Sequence, residues 1–205
     1  MSKHLKFFYG SMASSKTLRL LATAYDLEEK GMQILVMKPS TDTRDGEGVI
    51  HSRAGLQRSC LMIDNDLNLF EAISKYNEYL EGEGDSLKWV IIDECQFLTK
   101  KQVDQLSDVV DKLDIGVMCY GLRTDFKSRL FEGSKRLFEL ADDIEEIKST
   151  CECGERKTSI NARFDDDGQI VTDGEQVEVG GNERYKAICR KCWKRNIIWK
   201  ENNLT

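Results

Sequence analysis

The sequence predicts an α/β fold, with a mostly parallel sheet flanked by helices and a smaller β-rich unit at the C-terminal end. Three observations point there. Up to about Ile147, short apolar runs alternate with segments of helical period, the pattern of βαβ units. Two of the runs, Val90-Ile-Ile-Asp93 and Gly116-Val-Met-Cys-Tyr120, are nearly continuous apolar stretches, as strands buried on both faces should be. Beyond Ser149 the pattern changes to paired cysteines, an Asp165-Asp166-Asp167-Gly168 turn signal and a Gly180-Gly181 pair. The expected division is a first domain over 1–148 and a second over 149–205.

The strands are expected at Leu5 to Tyr9, Gln33 to Lys38, Trp89 to Asp93, Ile115 to Tyr120 and Asp143 to Ile147. Helices are expected between them. Thr17 to Lys30 groups Leu18, Leu21, Ala22 and Tyr25 on one face; Leu67 to Leu80 groups Phe70, Ile73, Tyr76 and Leu80; Lys100 to Leu113 groups Val103, Leu106, Val110 and Leu113. The chain has a single proline, Pro39, and neither a low-complexity linker nor an internal repeat.

Composition narrows the function classes. With 205 residues, 40% hydrophobic and 32% charged, the chain is long enough to bury a core and has no apolar run approaching the ~20 residues of a membrane span. A net charge of -6 argues against a protein that holds nucleic acid by neutralising phosphates, and no partner of that kind or membrane is expected. The N-terminus lacks a signal-peptide pattern, so a cytoplasmic protein is expected. Seven cysteines in a reducing compartment point to metal ligands or buried thiols before disulfides.

The first strand runs directly into Gly10-Ser-Met-Ala-Ser-Ser-Lys16-Thr17 and then a helix, the context of a phosphate-binding loop. Backbone N–H groups at a helix start cradle phosphate oxygens, Lys16 reaches the outer phosphates, and the Thr17 hydroxyl suits Mg²⁺. The alternative is a solvated lysine in a first helical turn. Ser15 stands where the G-x-x-x-x-G-K-[ST] pattern has glycine; its side chain either weakens nucleotide binding or is accommodated at negative φ. The buried run ending in Asp93-Glu94 reads as a Walker B segment, with Asp93 beside Mg²⁺ and Glu94 placed to accept a proton from a hydroxyl or water. Its alternative is a strand ending in solvated acids.

Four cysteines fall in two close pairs, Cys151-x-Cys153 and Cys189-x-x-Cys192, and four thiolates brought together suit structural Zn²⁺. The alternative is reduced buried thiols or a redox pair. Cys119 and Cys95 read as small hydrophobes in packing roles, and His51 as a solvated loop histidine.

Assembled, these residues resemble the type II thymidine kinases, a cytosolic family of animals, many bacteria and some of their viruses. The resemblance spans nearly the whole chain. It rests on Lys16-Thr17, Lys38-Pro-Ser-Thr-Asp42-Thr-Arg44, His51-Ser-Arg53, Asp93-Glu94-Cys-Gln96-Phe97, Tyr120-Gly-Leu122-Arg-Thr-Asp-Phe126 and Val179-Gly180-Gly181-Asn-Glu-Arg-Tyr185, with the cysteine pairs flanking the last. It implies a P-loop (RecA-like) kinase domain and a zinc-anchored lasso that closes over the nucleoside. The implied reaction is ATP-dependent phosphorylation of deoxythymidine on its 5′-hydroxyl, with Glu94 as the base. The ATP and Mg²⁺ contacts are implied at Tyr9, Gly10, Ser11, Met12, Ala13, Ser14, Ser15, Lys16 and Thr17, and at Asp93, Glu94, Cys95 and Gln96. Nucleoside contacts are implied at Met12, Asp42, Arg44, Phe97, Leu122 and Phe126, and on the lasso at Arg163, Val179, Gly180 and Tyr185. The family also implies a dimer or tetramer and feedback by dTTP. This chain departs from the family at Ser15 and in its C-x-C pair, which resembles one bacterial branch.

Two rival readings use the same residues. One is a P-loop ATPase in which Glu94 activates water and the cysteine-bearing segment contacts a macromolecule. The other is a non-enzymatic metal-bearing interaction module whose phosphate loop Ser15 has disabled.

Overall fold

A computed structural model describes residues 3–42, 46, 48–176 and 182–203 of the chain. Eleven strands are seen among them: β1 (Leu5–Gly10), β2 (Gln33–Pro39), β3 (Val49–His51), β4 (Gln57–Ser59), β5 (Leu61–Ile63), β6 (Leu87–Ile92), β7 (Gly116–Leu122), β8 (Asp143–Ile147), β9 (Ile160–Phe164), β10 (Ile170–Val171) and β11 (Tyr185–Ile188). The helices are α1 (Lys16–Glu29), α2 (Leu69–Gly82), α3 (Lys100–Leu113), α4 (Glu132–Leu140) and α5 (Arg190–Asn203). Six strands form one sheet in the order β5-β2-β6-β7-β1-β8, and every neighbouring pair in it is parallel.

Strand alternation divides the core. On β7, Val117 and Cys119 join Phe7, Val90 and Ile92 beneath Ile73 of α2, Val103 and Leu106 of α3 and Leu137 of α4. Met118 and Tyr120 face the other way, with Val36, Trp89 and Ile91, against α1. The expected stripes on α2 and α3 are the ones that pack, Phe70, Ile73, Tyr76 and Leu80 on the first and Val103, Leu106, Val110 and Leu113 on the second. On α1 the buried stripe is Leu20, Leu21, Ala24 and Leu27, and Tyr25 is 64% exposed. Both stripes have helical spacing; the one with three leucines buries more apolar surface and sets the rotation of the helix.

Five elements carried too weak a pattern to be anticipated. The pair β3 and β4 and the strand β5 are three residues each. In α4 the apolar positions cluster at Leu137 and Phe138, too few for a clear period. The segment that forms α5 is largely charged, yet Trp193 and Ile197 pack on a small separate core of Cys151, Ala162, Ile170, Ile188, Cys189 and Cys192. That core lies on the antiparallel sheet β10-β9-β11, whose first turn is the expected Asp165–Gly168 signal, with Gly168 at φ 74 and Asp165 N–H donating to Gln169 O at 2.9 Å.

Candidate active site

Parallel strands deliver their C-terminal ends to one edge of the sheet, where ligands of open α/β folds bind. Gly10 at the end of β1 pairs with Leu122 on β7, and β7 pairs in turn with β6, after which Asp93 follows. The phosphate loop and the carboxylate pair therefore meet on this edge. A cavity of about 410 Å³ opens there, lined by Met12 through Leu18, Glu94, Leu122 and the turn His51 to Ala54.

The phosphate loop is tightly made. A Cβ on Gly10 would sit 2.3 Å from Ser14 Oγ and 2.7 Å from Ile147 O, so only glycine lets the loop fold back. Lys16, 7% exposed, curls back and donates to Ser11 O at 2.8 Å. Ala13 and Ser15 both take left-handed conformations, at φ 58 and φ 61. Ser15 is therefore not accommodated at negative φ, as the sequence allowed; it holds the conformation that the motif glycine would supply, at a cost of roughly 1–2 kcal/mol for an L-residue. The Ser14 hydroxyl, on a residue that borders the cavity, is buried with no hydrogen-bond partner among the described residues.

Thr17 Oγ1 donates to Asp93 Oδ2 at 3.0 Å, joining the start of α1 to the end of β6. Asp93 is 4% exposed, and burial followed by the neighbouring Glu94 charge raises its pKa to about 7. Glu94 sits at φ 48, ψ 38, a left-handed kink that turns the chain into the short 3-10 turn Cys95–Phe97. Strain of that size persists only where its surroundings impose it. Gln96 does so here, since its Nε2 donates to Glu94 Oε2 at 2.5 Å while its Oε1 accepts Leu122 N–H at 2.9 Å. A Cβ on Gly121 would come within 2.6 Å of that Oε1, so the glycine leaves room for the clamp.

Other expected site residues do not line this cavity. Tyr9 packs edge-on to Phe138 at 5.1 Å, and Phe97 edge-on to Phe131 at 5.8 Å. Cys95, fully buried, lies beside Cys119 in the core. Asp42 is buried with Lys38, whose Nζ is 3.7 Å from Asp42 Oδ2 and donates to Gly46 O at 3.1 Å. Phe126 is 1% exposed beneath the Arg163 guanidinium, which stands 3.8 Å from the ring centroid and donates to the carbonyls of Asp173 and Glu175. Tyr185, on β11, pairs in register with Arg163 on β9. Arg44, Val179 and Gly180 lie outside the described residues.

Two contacts went unanticipated. Asn161 Oδ1 accepts Met12 N–H at 2.7 Å and Thr158 Oγ1 shares a 2.6 Å hydrogen bond with Ser11 Oγ, so the small sheet buttresses the phosphate loop. Both pairs are about 150 residues apart in sequence, and single polar residues at that separation leave no periodic trace. His51, read as solvated, is exposed but borders the cavity together with Arg53.

Cys151, Cys153, Cys189 and Cys192 bring their Sγ atoms within 4.8 Å of one another, and Cys153 and Cys189 are 3.9 Å apart. A tetrahedron of four Zn–S bonds near ~2.3 Å needs sulfurs about 3.8 Å apart, so the donor set fits that ion. The cluster can hold a metal. The thiols are crowded enough to split, Cys189 falling to about 7 chiefly through the Cys192 N–H and Cys192 rising to about 12 chiefly through its hydrogen bond to Cys189.

The family model described as thymidine kinase matches residues 3–193. A thymidine kinase of Mannheimia succiniciproducens is 45% identical over 191 residues, 93% of this chain and 95% of that protein. Those of Shewanella oneidensis and Haemophilus influenzae are each 44% identical, covering 95% and 93% of this chain and 98% and 95% of their own. Among solved structures, the Pif1 helicase of Candida albicans overlaps 72% of this chain and 36% of its own at 14% identity and a TM-score of 0.43. A match of that extent, with identity held across nearly the full length of each relative, shows that the chain belongs to the thymidine kinase family.

Proposed function

We propose that this protein transfers the γ-phosphoryl group of ATP to the 5′-hydroxyl of thymidine, giving dTMP and ADP. The observation that carries the reading is the pairing of Glu94 with the phosphate loop across one cavity, with Asp93 tied to Thr17 behind it. Glu94 takes the proton of the 5′-hydroxyl as its oxygen bonds to the γ-phosphorus, and the bond from that phosphorus to the bridging oxygen breaks to release ADP. Lys16 and the loop amides stabilise charge on the transferring group. Mg²⁺, bound with ATP, neutralises phosphate charge; the Thr17 hydroxyl and Asp93 would hold it. Gln96 keeps Glu94 in place, since its amide is fixed at both ends.

Zinc on the four cysteines is structural in this reading, because a closed thiolate shell leaves no open position for chemistry. It would anchor the lasso unit, taken to begin at Ser149, whose segment 173–176 is tied to the chain that follows β7. Lys127 Nζ donates to Gly174 O and Gln176 Nε2 to Asp125 Oδ2. Leu122, Arg163 and Tyr185 would contact thymidine, with Val179 and Gly180 supplying backbone groups and Phe126, buried beneath Arg163, backing the pocket. A cytoplasmic homo-oligomer with feedback by dTTP belongs to the same reading. No helix among the described residues is long and apolar enough to cross a membrane.

The test is ADP release from Mg·ATP with and without each common deoxynucleoside. Release that depends on thymidine, with little response to deoxycytidine or purine nucleosides, is expected. Release without any nucleoside would favour a hydrolase.

A further inference from the structure

The second wall of the cavity is a hairpin whose function the motifs do not specify. β3 and β4 pair antiparallel, and the turn between them contributes His51, Ser52, Arg53 and Ala54 to the lining, facing the phosphate loop. This turn is built to hold its shape. Ser52 is 2% exposed; its N–H donates to Leu56 O at 2.8 Å, its Oγ accepts Leu56 N–H at 3.2 Å, and its O accepts Gly55 N–H at 2.9 Å. Gly55 supplies the φ of 87 that closes the loop.

The hairpin is also fixed to the body. Ile50 is 1% exposed in the core beside Leu20 and Leu21 of α1, and Arg58 makes a two-pronged contact with Glu28 at 2.7 and 2.5 Å. Both anchors join the hairpin to α1, the helix that the phosphate loop begins. The tip is thus registered to the loop it faces.

What the tip presents is cationic and uncommitted. Arg53 is exposed at the cavity and has no ion-pair partner among the described residues, while Arg58 on the same hairpin is occupied by Glu28. Lys16 on the opposite wall is buried and curled onto Ser11 O. A phosphoryl group passing from donor to acceptor spreads negative charge over its three peripheral oxygens, and a planar guanidinium can bind two of them at once where an ammonium binds one.

We infer that Arg53 is a further catalytic residue, donating hydrogen bonds to the non-bridging oxygens of the transferring phosphoryl group from the hairpin side, with His51 beside it as a lesser donor. This rests on the proposed phosphoryl transfer. The guanidinium stays protonated throughout; the proton from the acceptor hydroxyl goes to Glu94 and the leaving oxygen departs with ADP. Arg53 contributes charge and orientation, and the fixed hairpin means that little has to be rearranged as the charge develops.

The test compares wild type, R53A, R53K and H51A by steady-state kinetics, with thermal unfolding on each. R53A is expected to lower kcat by about 10²- to 10³-fold, the scale for loss of one preorganised donor, with the KM for thymidine within about twofold. R53K should recover less than tenfold of that loss, because it keeps charge without the fork, and added guanidinium should restore part of the R53A rate. Arg53 is exposed, so the unfolding midpoints should coincide. A kcat for R53A within about threefold of wild type would overturn the inference, as would a raised KM for ATP with kcat unchanged. Wild-type protein inert toward every nucleoside would instead remove the kinase reading, so the two failures are distinguishable.

Discussion

Thr17 and Asp93, 76 positions apart in sequence, are joined by a 3.0 Å hydrogen bond from hydroxyl to carboxylate. The bond favours the ionised carboxylate against the burial and the adjacent Glu94 charge that raise its pKa to about 7. Thr17→Val removes it and should raise the Mg²⁺ concentration needed for half-maximal rate by about tenfold, in the range seen when an orienting partner of a metal-binding carboxylate is lost. Thr17→Ser should stay near wild type. An identical Mg²⁺ dependence in the valine variant would mean the bond has no bearing on catalysis.

Glu94→Gln keeps the size of the side chain and removes the base. The expected result is a kcat lower by roughly 10²-fold or more, with ATP and thymidine binding retained by calorimetry. An unchanged rate would take Glu94 out of that role. Gln96 acts on Glu94 without touching the reacting atoms. Gln96→Met leaves the Leu122 N–H without its partner and takes one positioning hydrogen bond from Glu94, so kcat should fall about tenfold while the KM for thymidine moves little.

The sheet was legible because strands buried on both faces leave unmistakable apolar runs, and the Asp93-Glu94 pair could be located at the end of one. The donor set was legible because four cysteines in two close pairs are rare by chance. The clamp on Glu94 was not: Gln96 was visible in the sequence as a member of the site, but its two hydrogen bonds depend on the left-handed kink at Glu94 and on space left by Gly121. The hairpin tip was hidden for another reason. His51-Ser-Arg53 was visible as one of the motifs of the resemblance, but nothing in it tells that Ile50 and Arg58 pin the hairpin to α1.

Ser15 gives the plainest stability prediction. At φ 61 it bears a left-handed cost that glycine escapes, partly offset by the greater freedom glycine has when unfolded. Ser15→Gly should therefore stabilise by about 0.5–1 kcal/mol, a rise of roughly 1–4 °C in Tm for a chain of this size. The loop already holds the conformation a glycine would take, so the KM for ATP should change less than about threefold. A tightening beyond tenfold would show that the serine side chain obstructs the nucleotide; an unchanged or lower Tm would show that the conformation carries no cost.

Metal removal should act at a distance, through β9. The small core holds few large apolar side chains, so the sheet β10-β9-β11 depends on the cysteine cluster for its order. Asn161 and Thr158 in turn hold Met12 N–H and Ser11 Oγ of the phosphate loop. Wild type should contain about one Zn²⁺ per chain by elemental analysis, and Cys153→Ser should lose it. Hydrogen exchange should then speed up across β9 and β11 while β6 and β7, at the centre of the large sheet, keep their protection. The KM for ATP should rise with this loosening, because the loop loses two of its supports. Verified metal-free protein with full activity and unchanged protection in β9 would show that the cysteines order nothing the site needs.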